Sequence, residues 1–172
     1  IQFKYKKMKN KFSISVLLVS FLLASCNPFH TEIENEKITV QYYEANDKSN
    51  MPSLRVNIDI ATWNVKFGGG RIDFFFDCHG DRVLMSKAEV MENMAGVAAK
   101  IRNMNPDVIL LQEVDIDSKR AAYVDQVQYI LDNTSLNYGV YASQWKADYV
   151  PSDGVGQVNS GNAILSKYPL YK

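Results

Sequence analysis

Two apolar, strand-like runs in this sequence each end on a polar residue able to do chemistry: Ala61-Thr62-Trp63-Asn64 and Leu110-Leu111-Gln112-Glu113-Val114. Delivering a lone carboxylate from a buried run is costly unless something pairs with it, and a divalent cation that favours oxygen ligands is the natural partner. Two plainer readings compete with this one. Glu113 could be an ion-paired strand end, and Asn64 could cap its strand by bonding neighbouring backbone.

The elements that must hold these residues are visible as periodicity. Residues 54–65 alternate Val56, Ile58, Ile60 and Thr62 against Arg55, Asn57, Asp59 and Ala61, which predicts a half-buried strand. Gly68-Gly69-Gly70 closes it. Ser86-Lys87-Ala88-Glu89 reads as a capping box opening a helix that carries Val90, Met94, Val97, Ala98, Ile101 and Met104 inward and stops near Asn105-Pro106. The run 108–111 is uniformly apolar, so a strand buried on both faces is expected there. A second helix is predicted over 121–132, then short strands at 139–145 and 162–166 separated by a loop over 146–160 that holds Gly154, Gly156 and Pro151. The insertion 71–84 contains Phe74-Phe75-Phe76, three rings better suited to packing under a loop than to a ligand platform. Strand, helix, strand, helix, strand, strand makes a layered α+β domain.

The chain of 172 residues is 47% hydrophobic and 22% charged, a globular composition of one-domain size. Its formal charge of zero averages two unlike parts. Five of the 19 basic residues fall within residues 1–25, which hold no acid, leaving 14 basic against 19 acidic residues and a net charge of −5. An acidic body disfavours broad electrostatic capture of nucleic acid, although a local basic patch could still take a phosphate.

The leading segment reads as an export signal. Met8 is followed by Lys9 and Lys11, an apolar run over 12–23, and Ala24-Ser25-Cys26. That order of basic start, short apolar core and small residues is a secretory signal, and Leu23-Ala24-Ser25-Cys26 resembles the bacterial lipobox, whose cysteine becomes the lipidated first residue of the mature protein. The expectations are a true start at Met8, a signal through residue 25, a membrane anchor at Cys26, an acidic tether over 26–53 with a short strand within 38–43, and a domain over 54–172. The protein would be an exported bacterial lipoprotein facing the periplasm or the cell surface. Cys78 is then left alone, so neither a disulfide nor a multi-cysteine zinc site is expected. Nothing in the pattern points to an oligomer.

Three motifs carry a family resemblance. Residues Ile60-Ala61-Thr62-Trp63-Asn64-Val65, then Pro106-Asp107-Val108-Ile109-Leu110-Leu111-Gln112-Glu113-Val114-Asp115, then Gly161-Asn162-Ala163-Ile164-Leu165-Ser166-Lys167-Tyr168-Pro169-Leu170 resemble three successive signatures of the endonuclease/exonuclease/phosphatase superfamily. Residues 118–126 are similar to a segment that follows the acidic motif in many bacterial members. The resemblance implies a deoxyribonuclease-I-like fold, a four-layer α/β sandwich of two sheets flanked by helices, of which this chain would be the N-terminal half. It also implies hydrolysis of phosphoesters, whether nucleic acids, phospholipid head groups or sugar phosphates. Glu113 would bind Mg2+ or Mn2+ with Asn64 beside it as ligand or orienter, and Lys119, Arg120 and Asn162 would contact substrate phosphate. A basic pair such as Lys119-Arg120 is as readily a solvated helix start, and Asn162 could serve only the strand entry.

The sequence also departs from the family's pattern. Lys66 stands where many members carry a carboxylate. The family mechanism uses a histidine paired with an acid, an Asp-x-Asn segment and a late Asp-His pair, whereas the two histidines here, His30 and His79, match none of these positions. The expectation is therefore a fragment, cut at both ends, with negligible catalysis of its own. The rival expectation from another class is a surface binding lipoprotein on a decayed phosphoesterase fold.

Overall fold

The computed structural model describes residues 39–53 and 56–171. The signal, Cys26 and the first part of the acidic tether, residues 26–38, lie outside them. Among the described residues, no helix is long and apolar enough to cross a membrane.

One mixed sheet of five strands organises these residues, in the spatial order β1-β4-β5-β3-β2. Strand β1 is Gln41–Glu44, β2 is Ile60–Asn64, β3 is Val108–Asp115, β4 is Tyr138–Val150 and β5 is Gly156–Ser166. Strands β2 and β3 run parallel, with Asn64 opposite Gln112, and the other pairings are antiparallel. Helix α1, Lys87–Met104, supplies the crossover that a parallel pair requires. Helix α2, Gln126–Asp132, connects β3 to the β4–β5 hairpin.

Helix α1 starts where the sequence says it should. The Ser86 side chain accepts from the Glu89 amide, while the Glu89 carboxylate accepts from the Ser86 amide and from Arg82. Asn105 then ends the helix in the left-handed conformation (φ 47°), one that asparagine tolerates well, and Pro106 cannot continue it. The Ser86 backbone N–H, then Arg82, hold the Glu89 carboxyl at about 2, below its ordinary 4.5. A depressed pKa means that this carboxylate's contribution is complete above pH 4.5 and is lost as pH falls through about 2. Ser86→Ala is expected to cost about 1 kcal/mol at pH 7. Urea unfolding at pH 7 and pH 2 checks both points, since the difference between Ser86→Ala and the parent should shrink at the lower pH.

Both helices lie on one face of the sheet. Val90, Met94, Val97 and Ile101 of α1 and Val127, Ile130 and Leu131 of α2 pack with Ile109, Leu111, Tyr141, Ala163 and Leu165 into one core. The opposite face carries Thr62, Leu110, Ile164, Val140 and Tyr42 in a single register row across all five strands. Leu110 is 37%, Ile164 42% and Tyr42 47% exposed. The expectation that 108–111 would be buried on both faces therefore fails, because helices cover one face only and burial alternates along β3.

Other elements differ from expectation for identifiable reasons. Among the described residues of the predicted strand over 54–65, only Ile60–Asn64 pairs with β3, and Val56 and Ile58 are exposed. Helix α2 begins at Gln126 rather than 121. A short 3-10 turn, Lys119–Ala121, precedes it, and positive φ at Ala122 and Tyr123 breaks the path. The expected loop over 146–160 is mostly strand, for β4 and β5 form a long hairpin whose tip is the turn Ser152–Gly154. Met104, in the last turn of α1, is 43% exposed rather than inward. Strand β1, Gln41–Glu44, overlaps the short strand expected at 38–43, but it joins the sheet along β4, so the sheet includes residues upstream of the boundary expected at 54.

Candidate active site

At one end of the sheet the β3–β5 pairing slips. Leu111 pairs with Ala163 and Val114 with Gly161, so Gln112 and Glu113 together stand opposite the single residue Asn162. This is a β-bulge, and Glu113 sits in it at φ 55°, a left-handed conformation that a non-glycine residue adopts only at a cost of about 1–3 kcal/mol. The bulge swings the Glu113 side chain out of the strict alternation of the strand. Its carboxylate lies at the exposed edge, beside the end of β2.

Asn64 meets it there. The Lys66 backbone N–H donates to Asn64 Oδ1 at 2.9 Å, which fixes the amide so that Nδ2 must face the other way and donate to Glu113 Oε1 at 2.8 Å. Glu113 Oε2 has no partner among the described residues. Asn64 is thus placed to orient Glu113.

A cavity of about 450 Å³ opens next to this pair. The rings of Phe67, Phe76 and Trp145 form its walls, and Arg120, Gln144 and Ser160 supply polar groups beside Glu113. Arg120 is held on three sides. Its Nε and Nη2 grip Asp115, fully buried, in a two-pronged pair at 2.8 and 3.0 Å, and Nη2 also donates to Ser160 Oγ. Its guanidinium lies 3.9 Å from the centre of the Phe67 ring.

Behind the cavity lies a buried polar framework. Gln126 donates to the Phe67 carbonyl at 2.7 Å and accepts from the Asp115 amide at 3.2 Å, linking the segment after Asn64 to the segment after Glu113. The Asn159 side chain accepts from the Tyr141 hydroxyl at 3.0 Å and from Ser143, and the Asn159 backbone N–H donates to Ser118 Oγ. Burial pushes the Tyr141 phenol up to about 12, so it stays a neutral donor.

The insertion is pinned to the site from outside. Lys66 Nζ turns away from Glu113 and bonds Asp77 Oδ2 at 2.8 Å and the Ile72 carbonyl at 2.9 Å. That bond, with the Phe74 N–H, holds the Asp77 carboxyl below the usual carboxylate range. Phe74 is buried as expected, but Phe76 stacks on it at 5.6 Å and is 53% exposed at the cavity wall. Phe74 therefore serves packing and Phe76 the site.

Of the residues singled out from sequence, Asn64, Glu113 and Arg120 come together, and Asn162 stands across the bulge, exposed. Lys119 does not join them. Its ammonium donates to the Gly154 carbonyl at 3.1 Å and its stem lies against Gly156, so it braces the hairpin tip. Cys78 and His79 are exposed in the insertion. The sequence places the insertion with Phe74–Phe76 and the stretch from Trp145 to Ser160 beside the site, and Phe76, Trp145 and Ser160 do line the cavity. Sequence reasoning overlooks Asp115 and Gln126. Only Asp115 carried a local signal, as a second acid two residues beyond Glu113.

Among the described residues, no three His, Cys, Asp or Glu side chains converge as a metal cluster. A free carboxylate oxygen backed by an amide nevertheless suits a hard divalent cation, since Mg2+ commonly takes one or two carboxylates and keeps several waters.

Comparison with known proteins decides the family. Residues 61–172 match the model of the Endonuclease/Exonuclease/phosphatase family. The chain belongs to that family. An endonuclease/exonuclease/phosphatase from Beutenbergia cavernae DSM 12333 is similar in structure at 21% identity, with a TM-score of 0.43, over 67% of this chain. The match spans 27% of that protein's chain. No curated protein matches. Members of the endonuclease/exonuclease/phosphatase family are hydrolases that generally depend on a divalent metal, and the mixed sheet with its few helices is part of their α/β fold.

Proposed function

We propose that the protein acts in divalent-cation-dependent hydrolysis of phosphoester bonds, with Glu113 as the ligand of Mg2+ or Mn2+ and Asn64 as the residue that aims it. The observation that carries this reading is the bulge at Glu113. A left-handed glutamate that presents a free oxygen at an exposed edge is strain without return unless the carboxylate is used there. When bound, the cation would polarise a phosphoryl oxygen and offset charge on the leaving group. Arg120 is preorganised by Asp115 and Ser160 to hold an anionic or hydroxyl oxygen from its remaining N–H groups. Lys66 leaves no positive charge on the cation's side, since its ammonium is committed to Asp77.

Manganese titration by electron paramagnetic resonance tests the assignment. Glu113→Ala should abolish saturable Mn2+ binding. Asn64→Ala, which removes only the orienting bond, should weaken it about 10–100-fold. Binding unchanged in Glu113→Ala would remove Glu113 from the site. Mn2+ binding at Glu113 without hydrolysis of nucleic acid, phospholipid or sugar phosphate by the full-length protein would favour a binding lipoprotein instead.

A further inference from the structure

We propose that Lys66 and Asp77 are positioning residues: from the insertion, Asp77 holds Lys66 and with it the left-handed turn after β2, and that turn aims Asn64 at Glu113. The proposal rests on the phosphoesterase reading for the use made of Glu113, and it concerns what fixes the residue beside it.

The backbone after Asn64 is strained. Val65 still belongs to the sheet, its N–H donating to the Gln112 carbonyl at 3.0 Å. The next three residues, Lys66, Phe67 and Gly68, run left-handed at φ 48°, 44° and 73°. Glycine does this freely, whereas Lys66 and Phe67 do it at a steric cost that other contacts must offset. What the turn yields is the Lys66 N–H, which donates to Asn64 Oδ1 and leaves Asn64 Nδ2 to meet Glu113.

Each left-handed residue is held from a different element. Asn93 of α1 donates to the Gly68 carbonyl at 2.9 Å, and Gln126 of α2 donates to the Phe67 carbonyl. Lys66 Nζ reaches Asp77 Oδ2 and the Ile72 carbonyl in the insertion. Of these holds, the one on Lys66 acts on the residue whose own N–H orients Asn64. The side chains of Lys66 and Asp77 are 29% and 31% exposed, so the pair contributes little to stability and its effect is on position.

Asp77 is itself a fixed point. Its Oδ2 also accepts from the Phe74 N–H at 2.8 Å, and Phe74 is buried in the core. The Phe75 N–H donates to the Arg82 carbonyl at 2.9 Å, and the Arg82 guanidinium bonds Glu89 in the first turn of α1. A path of bonded residues therefore runs from the cap of α1 through the insertion to Asn64. The Lys66 ammonium lies 5.4 Å from the centre of the Phe74 ring, across the buried end of that path.

Charge and position predict opposite signs. An ammonium near a divalent cation repels it, so a Lys66 acting through its charge alone would make Lys66→Met bind Mn2+ more tightly. A Lys66 that holds the turn makes the same substitution bind it more weakly.

Lys66→Met, Asp77→Ala and the double variant, each in the full chain, test this with two readouts. The first needs no metal. The Asn64 side-chain amide is followed in a proton–nitrogen correlation spectrum, assigned by its loss in Asn64→Asp, and is expected to move in all three variants toward its position in Glu113→Ala, where its acceptor is gone. The second is Mn2+ titration by electron paramagnetic resonance. Each single variant is expected to bind about 3–10-fold more weakly, less than the loss from removing a direct partner of a ligand. The double variant should bind no more weakly than either, because Asp77 acts through Lys66. Urea midpoints should stay near the parent's. An Asn64 amide unmoved in Lys66→Met overturns the proposal, as does unchanged or tighter Mn2+ binding there, or a midpoint that collapses along with the amide shift. A parent that binds no Mn2+ removes the phosphoesterase reading instead, and the metal-free amide still decides whether Lys66 and Asp77 hold Asn64.

Discussion

Arg120→Met is expected to destabilise the protein by about 3–5 kcal/mol, because it strands a carboxylate with no access to water. Asp115 is 0% exposed, and its two oxygens are taken by Arg120 Nε and Nη2 in a parallel pair. Methionine keeps the bulk of the aliphatic stem, so the loss reports mainly on the removed charge rather than on a cavity. Adding Asp115→Leu should recover most of the loss, since a buried ion pair replaced by apolar groups of similar volume is often neutral. Urea unfolding of the parent, the two single variants and the double variant gives the coupling between the two sites. A loss below about 1 kcal/mol in Arg120→Met would place the pair with exposed salt bridges and deny Arg120 its fixed position.

The dependence of Arg120 on Asp115 marks where sequence reading stops. Asn64 and Glu113 were legible because each ends an apolar run, a pattern contained in five or six neighbouring residues. The capping box of α1 was legible for the same reason: Ser86 and Glu89 act within one turn. The framework behind the site has no such local trace. Gln126 reaches Phe67 across 59 residues, and Arg120 reaches Ser160 across 40. A buried glutamine or serine looks in sequence like any polar residue at a helix start or strand end.

The misread elements share a different cause. Regular alternation is the signal for a strand, and β4 and β5 break it with register shifts after Ser143 and after Ala147. Those shifts made a long hairpin look like two short strands and a loop. The segment before α2 fails in the opposite sense, because Ala122 and Tyr123 adopt positive φ without the glycine or asparagine that would announce it. Val56 and Ile58 show clean alternation yet lie exposed, since alternation specifies a face and not a partner.

Gln126→Leu is the second large effect, and it separates stability from site geometry. The substitution keeps the side chain's bulk but leaves the Phe67 carbonyl and the Asp115 amide without Gln126 in a position that is 0% exposed. Each orphaned group costs about 1–3 kcal/mol, so a loss of roughly 2–4 kcal/mol is expected in urea unfolding. Gln126→Glu should cost at least as much, because an ionised carboxylate there still accepts from the Asp115 amide but faces the Phe67 carbonyl and carries an unpaired charge out of water. The consequence for the site follows from position. Phe67, itself left-handed at φ 44°, lies three residues after Asn64, and Asp115 lies two after Glu113, so one side chain sets the spacing of both strand ends. Mn2+ affinity, measured well below the unfolding midpoint, should therefore fall in Gln126→Leu even in the folded fraction. If stability drops while Mn2+ affinity holds, the strands alone position Asn64 against Glu113, and Gln126 serves the core.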